Sequence, residues 1–548
     1  MYIQWNKNLK GKKLPTAILR HSYRENGKPK KKTIANLGHM KIEEIKALEL
    51  ALKHKENLAN LKDINKTLVL KQGISFGANW LVYQVARKLG IEKTLGTSTS
   101  GKLALWQVIS RVVDQGSRLS AVRLARDEAS DEIIHFSKEF NEEDLYKNLF
   151  WLSIKQEDIE KKLLKYRQGE EKPKLFLYDV TSSYLEGVCN DYANWGYNRD
   201  RKRGKMQIVI GLMCDLEGIP ISVEVFEGNT KDTDTFKSQI EKVAKRFNCE
   251  KVTFVGDKGM IKSVQIEDLQ KVDFHYITSI TKPQIEKMIN TKKLQLGLFD
   301  EDIVEVADKD IRYVLRKNPF RAKQIAQTRE EKLVSIEEFT QKQNDYLKDH
   351  PKAKESVAKR KVNEKISRLK VKNWLFAEAK DRKITLKQDQ EKKKEEAKLD
   401  GCYCLKTDLK KEIISAQKVH DRYKDLAKVE KAFRTQKTAH LEMRPLYVTR
   451  KASTRGHLLV CMLALMITQE LEKAWVDLDI TVEEGIKRLR TLCTTVVETS
   501  QGQVFHQTTK ANKQNQQLFD LLDIDLPPIF PKRKVFVDTR KKLVSERK

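Results

Sequence analysis

The sequence predicts an α/β protein in which an α+β mixed sheet follows an N-terminal helical domain and is broken by a long charged insertion. Three observations predict it. Residues 73–165 show only helical periodicity, with short turns at Gly90 and Gly116-Ser117. From Lys174 the pattern changes to short β-branched and aromatic runs in the order β-β-β-α-β-α-β. Between Gly297 and Gly401 no glycine occurs, and from about residue 321 Lys, Glu, Gln and Ala dominate in helix-like order, with Pro351 as the single break.

Taken in order, residues 1–72 read as a β-like segment and a connector helix. Arg24-Glu-Asn-Gly-Lys28 forms a turn between two short strands, and Ile42 to Asn65 is amphipathic. The run Lys28-Pro-Lys-Lys-Lys-Thr33 is open to two readings, phosphate contact or a solvated loop. Residues 73–165 form a helical domain, with helices expected at 78–89, 104–113, 119–128, 142–152 and 157–166. A helical domain in a basic chain suits a DNA-binding role, although helical bundles serve many others.

Residues 166–290 form the first part of the core. Lys174 to Leu185, Lys205 to Cys214 and Ile219 to Phe226 are strands, and Asp215-Leu-Glu-Gly218 turns between the last two. A helix at 234–246, a strand at 252–255, a helix at 263–271 and a strand at 274–279 follow. Three antiparallel strands and then alternating helices and strands is the element order of the ribonuclease H-like fold. Residues 291–398 are read as an insertion subdomain, with strands at 303–316 and long helices beyond. Trp374 within it is a residue for stacking on an unpaired base or, against that, for core packing. Residues 399–500 return to the core, with a buried helix at 450–472 whose His457 orients a phosphate or serves as a hydrogen-bonded structural histidine. Residues 501–548 read as a polar, basic tail with partial disorder.

Composition bounds the partners. The 548 residues carry a formal charge of +30, spread along the chain, which suits a polyanion such as nucleic acid. The seven cysteines are odd in number and scattered, which predicts reduced thiols and a cytoplasmic location. Cys402 and Cys404 have no matching Cys or His pair to complete a zinc site. The N-terminus lacks the apolar core of a signal peptide, and Leu458 to Thr468 is too short to span a bilayer, so no membrane association is expected.

The chemistry is read from three carboxylates. Asp179 falls in the middle of the buried run Lys174-Leu-Phe-Leu-Tyr-Asp-Val-Thr-Ser-Ser-Tyr-Leu185, where an unpaired charge is costly to desolvate. Asp257 ends a second apolar run, Lys251-Val-Thr-Phe-Val-Gly-Asp-Lys-Gly259, between glycines. Glu430 lies on the partly apolar face of a helix from Asp421 to Lys437, with Tyr423, Leu426, Phe433, Arg434 and Lys437 at steps of three and four. Two strand-borne aspartates and a helix-borne glutamate make a hard-oxygen cage for two divalent cations, roughly 3.5–4 Å apart, of the kind that serves phosphoryl transfer.

With these residues in hand, the chain resembles the transposases of bacterial insertion sequences that carry a DDE triad and a Tyr-x2-Arg-x3-Glu-x6-Lys signature on the last catalytic helix. The resemblance rests on Tyr23-Arg-Glu-Asn-Gly-Lys28, Thr33-Ile-Ala-Asn-Leu37, Tyr178-Asp-Val-Thr-Ser182, Gly218-Ile-Pro-Ile-Ser-Val-Glu-Val-Phe-Glu-Gly-Asn-Thr230, Val255-Gly-Asp-Lys-Gly259 and Val429-Glu-Lys-Ala-Phe-Arg-Thr-Gln-Lys437. It implies Asp179, Asp257 and Glu430 as the catalytic and metal-binding triad, with Tyr423 and Lys437 at the signature Tyr and Lys. Leu426 stands where the signature has Arg, and Arg434, one turn beyond Glu430, is the substitute on that face. The resemblance also implies two Mg²⁺ ions, with Mn²⁺ able to replace them, double-stranded DNA with terminal inverted repeats and a target as substrates, and a homodimer in the DNA complex. Two other functions share these features: a ribonuclease H-like nuclease that cuts without joining strands, and a non-catalytic DNA-binding protein derived from a mobile element.

Overall fold

The computed structural model describes residues 1–6, 16–53, 55, 68–169, 173–200, 202–300, 302–437, 441–445, 447–499, 504–528, 530, 537 and 539. The chain opens with β1 (Tyr2–Asn6), β2 (Thr16–Glu25) and β3 (Lys28–Asn36), an antiparallel sheet in that order. Asn26 and Gly27 both have positive φ, 48° and 74°, as the tight hairpin turn between β2 and β3 requires. Ile3, Ala17, Leu37 and Ile45 bury a small core under the helix Ile42–Lys53. The expected continuation of that helix to Asn65 lies almost wholly outside the described residues.

Strand β4 (Leu68–Ser75) straddles the expected boundary between the first two segments. It is followed by helices at Gly77–Lys88, Ile91–Leu95, Thr99–Val113, Arg118–Asp127, Asp131–Ile134 and Glu142–Gln168. The last of these merges the two helices expected at 142–152 and 157–166. These helices do not enclose a core of their own. Their apolar faces share one hydrophobic cluster with Leu177, Leu212 and Val223 of the sheet and with Leu458 to Ile467 of a buried helix, Lys451–Ala474. Gly456 lets that helix press against Glu142–Gln168, because a Cβ there would stand 2.0 Å from the Leu149 carbonyl oxygen. His457 is buried beside Arg118, which donates to its Nδ1 at 3.1 Å, while its Nε2 reaches the Met443 carbonyl at 3.1 Å. Burial and the neighbouring arginine hold its pKa well below the usual histidine value. It is a neutral structural histidine.

The main sheet has eight strands. Strands β5 (Leu175–Tyr184), β6 (Gln207–Cys214) and β7 (Pro220–Glu227) run antiparallel. Helix Asp232–Glu241, extended by a π-helical turn at Lys242–Arg246, leads to β8 (Thr253–Val255), and helix Ser263–Gln270 leads to β9 (His275–Ser279). Strand β8 lies parallel to both β5 and β9, so the order β9-β8-β5-β6-β7 is that of the ribonuclease H-like fold. Continuous apolar runs make these strands because both sheet faces are covered. Phe176, Val209 and Phe254 pack on the side opposite the helical cluster.

Strands β10 (Val304–Asp308) and β11 (Ile311–Lys317), expected within the insertion, belong to this sheet. With β14 (Cys402–Thr407) they extend it in the order β10-β11-β14-β9. The projecting arm therefore begins near Asn318. Helices Pro319–Asp349 and Glu355–Arg368 flank the turn at Pro351, and a hairpin of β12 (Leu375–Lys380) and β13 (Lys383–Gln388) follows where only helix was expected.

Trp374 corrects the base-stacking reading. It is fully buried among Ile336, Val362, Ile366 and Leu375 at the centre of the arm, with Lys393 Nζ 5.1 Å above its ring. Trp374→Ala is expected to cost about 3–5 kcal/mol of arm stability, the usual cost of emptying a large aromatic site. Accelerated proteolysis within residues 319–398 checks this.

The polar tail is ordered over much of its length. Strand β16 (Val504–Thr508) pairs with β15 (Cys493–Thr499), which pairs with β4. Helix Lys513–Asp520 buries Leu518 and Phe519, and Phe530 meets Phe76 and Trp80 edge-on. The basic run Lys532-Arg533-Lys534 lies outside the described residues. Among the described residues no disulfide joins any of the seven cysteines, and no described helix is long and apolar enough to cross a membrane.

Candidate active site

The parallel pairing of β5 with β8 sets the site. Leu177 lies opposite Val255, the last residue of β8, so Asp179, two residues further along β5, and Asp257, two residues past the end of β8, are carried to the same cleft. Asp257 stands where β8 ends and the chain turns, with its main-chain carbonyl accepting from Met260 at 2.9 Å. The flanking glycines do not supply the turn through left-handed geometry, since neither has positive φ. Space at Gly256 is tight, since a Cβ there would sit 3.0 Å from Ile261 Cδ1 and that side chain would have to shift by a few tenths of an ångström.

The expected helix from Asp421 to Lys437 is two helices, Ala416–Lys424 and Leu426–Lys437, broken at Asp425. Leu426, Val429, Ala432, Phe433 and Gln436 are buried along the second helix, which packs on β5 and β6. Leu426 is buried at the start of that helix, so it points away from the cleft and offers no cation there. Glu430 stays exposed and faces the cleft.

Asp179, Asp257 and Glu430 line one cleft of about 520 Å³, together with Arg434, Lys437, Arg199 and Asp232. Burial is the main reason the Asp179 carboxyl is pushed up to about 7; the Val180 N–H and Arg199 pull it down, while Glu430 and Asp257 add to the rise. The Val180 N–H donates to Asp179 Oδ1 at 2.8 Å. The Tyr423 hydroxyl donates to Asp257 Oδ1 at 3.2 Å and lies 2.8 Å from Ser279 Oγ, and burial raises its pKa above the ordinary tyrosine value. The structure thus brings together every sequence-expected site residue except Trp374.

Three cleft or rim residues escaped the sequence reading. Arg199 Nη2 donates to both carboxylate oxygens of Asp232, at 2.8 and 2.7 Å, and its main-chain N–H donates to Ser182 Oγ at 2.9 Å. Asp200 Oδ1 holds Lys437 Nζ at 2.7 Å. A cluster of Arg and Asp in Tyr197-Asn-Arg-Asp-Arg-Lys-Arg203 was the available signal. Asn229 and Thr230 form the turn after β7, where the Thr230 N–H donates to the Glu227 carbonyl.

The donor set suits a hard divalent cation, since the acidic ligands present are carboxylate oxygens. Among the described residues, no three His, Cys, Asp or Glu side chains are gathered tightly enough to enclose an ion by themselves. An ion held here needs oxygens from elsewhere to complete its shell.

Comparison with known proteins adds the following. A family profile described as the transposase DDE domain matches residues 170–467, and one described as the N-terminal domain of IS1634 family transposases matches residues 5–63. No curated protein sequence matches the chain. Among solved structures, similarity is found to the piggyBac transposase synaptic complex with hairpin DNA, at 9% identity over 77% of this chain and 82% of that one, with a TM-score of 0.32. Similarity is also found to the Mos1 transposase paired-end complex with left transposon end, at 11% identity over 32% of this chain and 57% of that one, with a TM-score of 0.14.

Proposed function

The chain belongs to the DDE-domain transposases of insertion sequences, and from that premise we propose that it binds the terminal inverted repeats of its element, cuts the ends and joins the 3′ ends to target DNA. The observation that carries this reading is the convergence of three carboxylates, one from strand β5, one from the turn just past β8 and one from a helix, on a single cleft. Asp179, Asp257 and Glu430 would hold two divalent cations, Mg²⁺ in the cell with Mn²⁺ as a substitute. When bound, such a pair supplies charge stabilisation to the entering and leaving oxygens of an in-line phosphoryl transfer. Because the carboxylates alone do not enclose an ion, oxygens from substrate phosphate and water would have to contribute to holding it, as Mg²⁺ sites commonly require.

The remaining cleft residues position the substrate. Tyr423 fixes the rotamer of Asp257 through its hydroxyl. Arg199, Arg434 and Lys437 present cations to the DNA backbone, positioning it rather than reading bases. Lys437 must release Asp200 to reach a phosphate, which keeps it pre-oriented until DNA arrives. Lys437→Ala is expected to weaken end binding several-fold and to lower the salt slope by about one, as the loss of one phosphate contact predicts. Titration of end-bearing DNA at several salt concentrations checks this.

The test of the whole reading is an assay in which wild-type protein, an end-bearing duplex and a supercoiled target are incubated with Mg²⁺. Joined products support transposition. Cleavage without any joined product supports the nuclease instead. In the working complex two copies of the chain hold two DNA ends.

A further inference from the structure

The hairpin of β2 and β3 is built as an arm with nothing of its own to cover. Strand β1 pairs with β2 only from Thr16 to Arg20, and the small apolar core lies at that base. Beyond it every residue from His21 to Ile34 is exposed. The ladder nevertheless continues to the turn, through pairs including His21 with Lys32, Tyr23 with Lys30 and Glu25 with Lys28. A two-stranded ribbon wet on both faces is marginal in water by itself. Its retention therefore points to a partner.

Charge and shape say which partner. Arg20, Arg24, Lys28, Lys30, Lys31 and Lys32 face a single acid, Glu25, which Lys30 already engages. Side chains alternate across the ribbon, so one face carries His21 and Tyr23, their rings stacked at 6.2 Å, beside Lys28, Lys30 and Lys32. The other face carries Arg24 and Lys31. The duplex major groove, about 12 Å wide, admits a two-stranded ribbon, and basic residues on both sides of the ribbon would meet phosphates on both groove walls.

We propose that the β2–β3 ribbon enters the DNA major groove and is an end-reading element of this transposase, with the His21 and Tyr23 rings toward base edges and the long side chains of Lys30, Lys31 and Lys32 reaching outward from both faces to phosphates. This rests on the reading of the chain as a transposase that binds terminal repeats, and it shifts end recognition away from the 73–165 helices, whose apolar faces are occupied by the core.

The experiment uses the full-length chain and two duplexes, one copied from the DNA flanking the coding sequence and one of the same composition scrambled. Reversing Lys30, Lys31 and Lys32 to Glu is expected to weaken binding of both duplexes by about a hundredfold or more and to reduce the salt slope by about three. Tyr23→Ala is expected to weaken the end duplex about tenfold and leave the scrambled one unchanged. Because these side chains are exposed, the melting temperature should not move, and Tyr23→Phe supplies a second variant of nearly the same shape. Unchanged affinity and slope in the triple variant, with wild type still preferring the end duplex, would overturn the ribbon alone. Loss of self-association in place of DNA affinity would overturn it in favour of a contact between copies. A wild type with no preference between the duplexes would instead overturn the terminal-repeat reading, and the ribbon's role with it.

Discussion

Asp179→Asn is expected to lower metal-dependent cleavage of end-bearing DNA by on the order of a thousandfold or more while leaving DNA affinity nearly unchanged. A metal pair supplies several kcal/mol of transition-state stabilisation, and each 1.36 kcal/mol is a factor of ten. The substitution keeps the shape of a side chain in the middle of β5 and removes only its charge, so loss of fold does not account for loss of rate. Asp257→Asn and Glu430→Gln should behave alike, and combining them with Asp179→Asn should add little, because the three act as one unit. Single-turnover cleavage on pre-bound DNA is the measurement. Wild-type rates from Asp257→Asn would remove that residue from the site.

The second large effect follows from the raised carboxyl of Asp179. Its pKa in the fold, about 7, lies above the ordinary value of 3.8, so the fold favours the protonated form. Without metal, the stability this group contributes is present below about pH 4 and is lost as pH rises through 7. Metal binding needs the ionised form, so it must displace a proton. Mg²⁺ affinity is therefore expected to rise about tenfold per pH unit below 7 and to level off above it. Asp179→Asn should remove this pH dependence and should make the metal-free protein more heat-stable than wild type at pH 8. Melting curves between pH 5 and pH 8, with and without Mg²⁺, check both signs. A wild type whose metal affinity is flat across that range would contradict the assignment of Asp179 as a ligand.

What the sequence made legible, and what it hid, divides along physical lines. Strands β5 to β9 were readable because strands covered on both faces leave nearly continuous apolar runs, and Asp179 and Asp257 stood out against them. Glu430 was readable because a charge interrupts a helical face that otherwise carries Leu426 and Phe433. The β12–β13 hairpin was not. Its turn at Asp381 and Arg382 takes positive φ without glycine, and its strands lie between Lys- and Glu-rich helices that set the local pattern. Trp374 could not be sorted by sequence, since an aromatic among charges fits a buried arm core as well as an exposed platform. The tail strand β16 was hidden because it pairs with β15, which is itself joined to β4 some 420 residues earlier, and such non-local pairing leaves no local trace. The Arg199–Asp232 pair escaped for the same reason, since only the fold brings the loop that carries Arg199 and the first turn of helix Asp232–Glu241 to one cleft.

These residues also show how an open site differs from a closed metal cage. Asp179 is held by the sheet, Asp257 by the end of a strand and its tyrosine partner, and Glu430 by a helix anchored through apolar residues on the same sheet. Each carboxylate is fixed by a separate element, so the spacing between them is set by the fold, and on the proposed reading the space among them takes a phosphodiester.

The most direct measurement of that claim is anomalous scattering from crystals of the chain with an end-bearing duplex and Mn²⁺. Peaks about 2.0–2.3 Å from carboxylate oxygens of Asp179, Asp257 and Glu430, beside the scissile phosphate, are the predicted result. Manganese bound elsewhere while DNA occupies the cleft, or Glu430 standing clear of every ion, would contradict it.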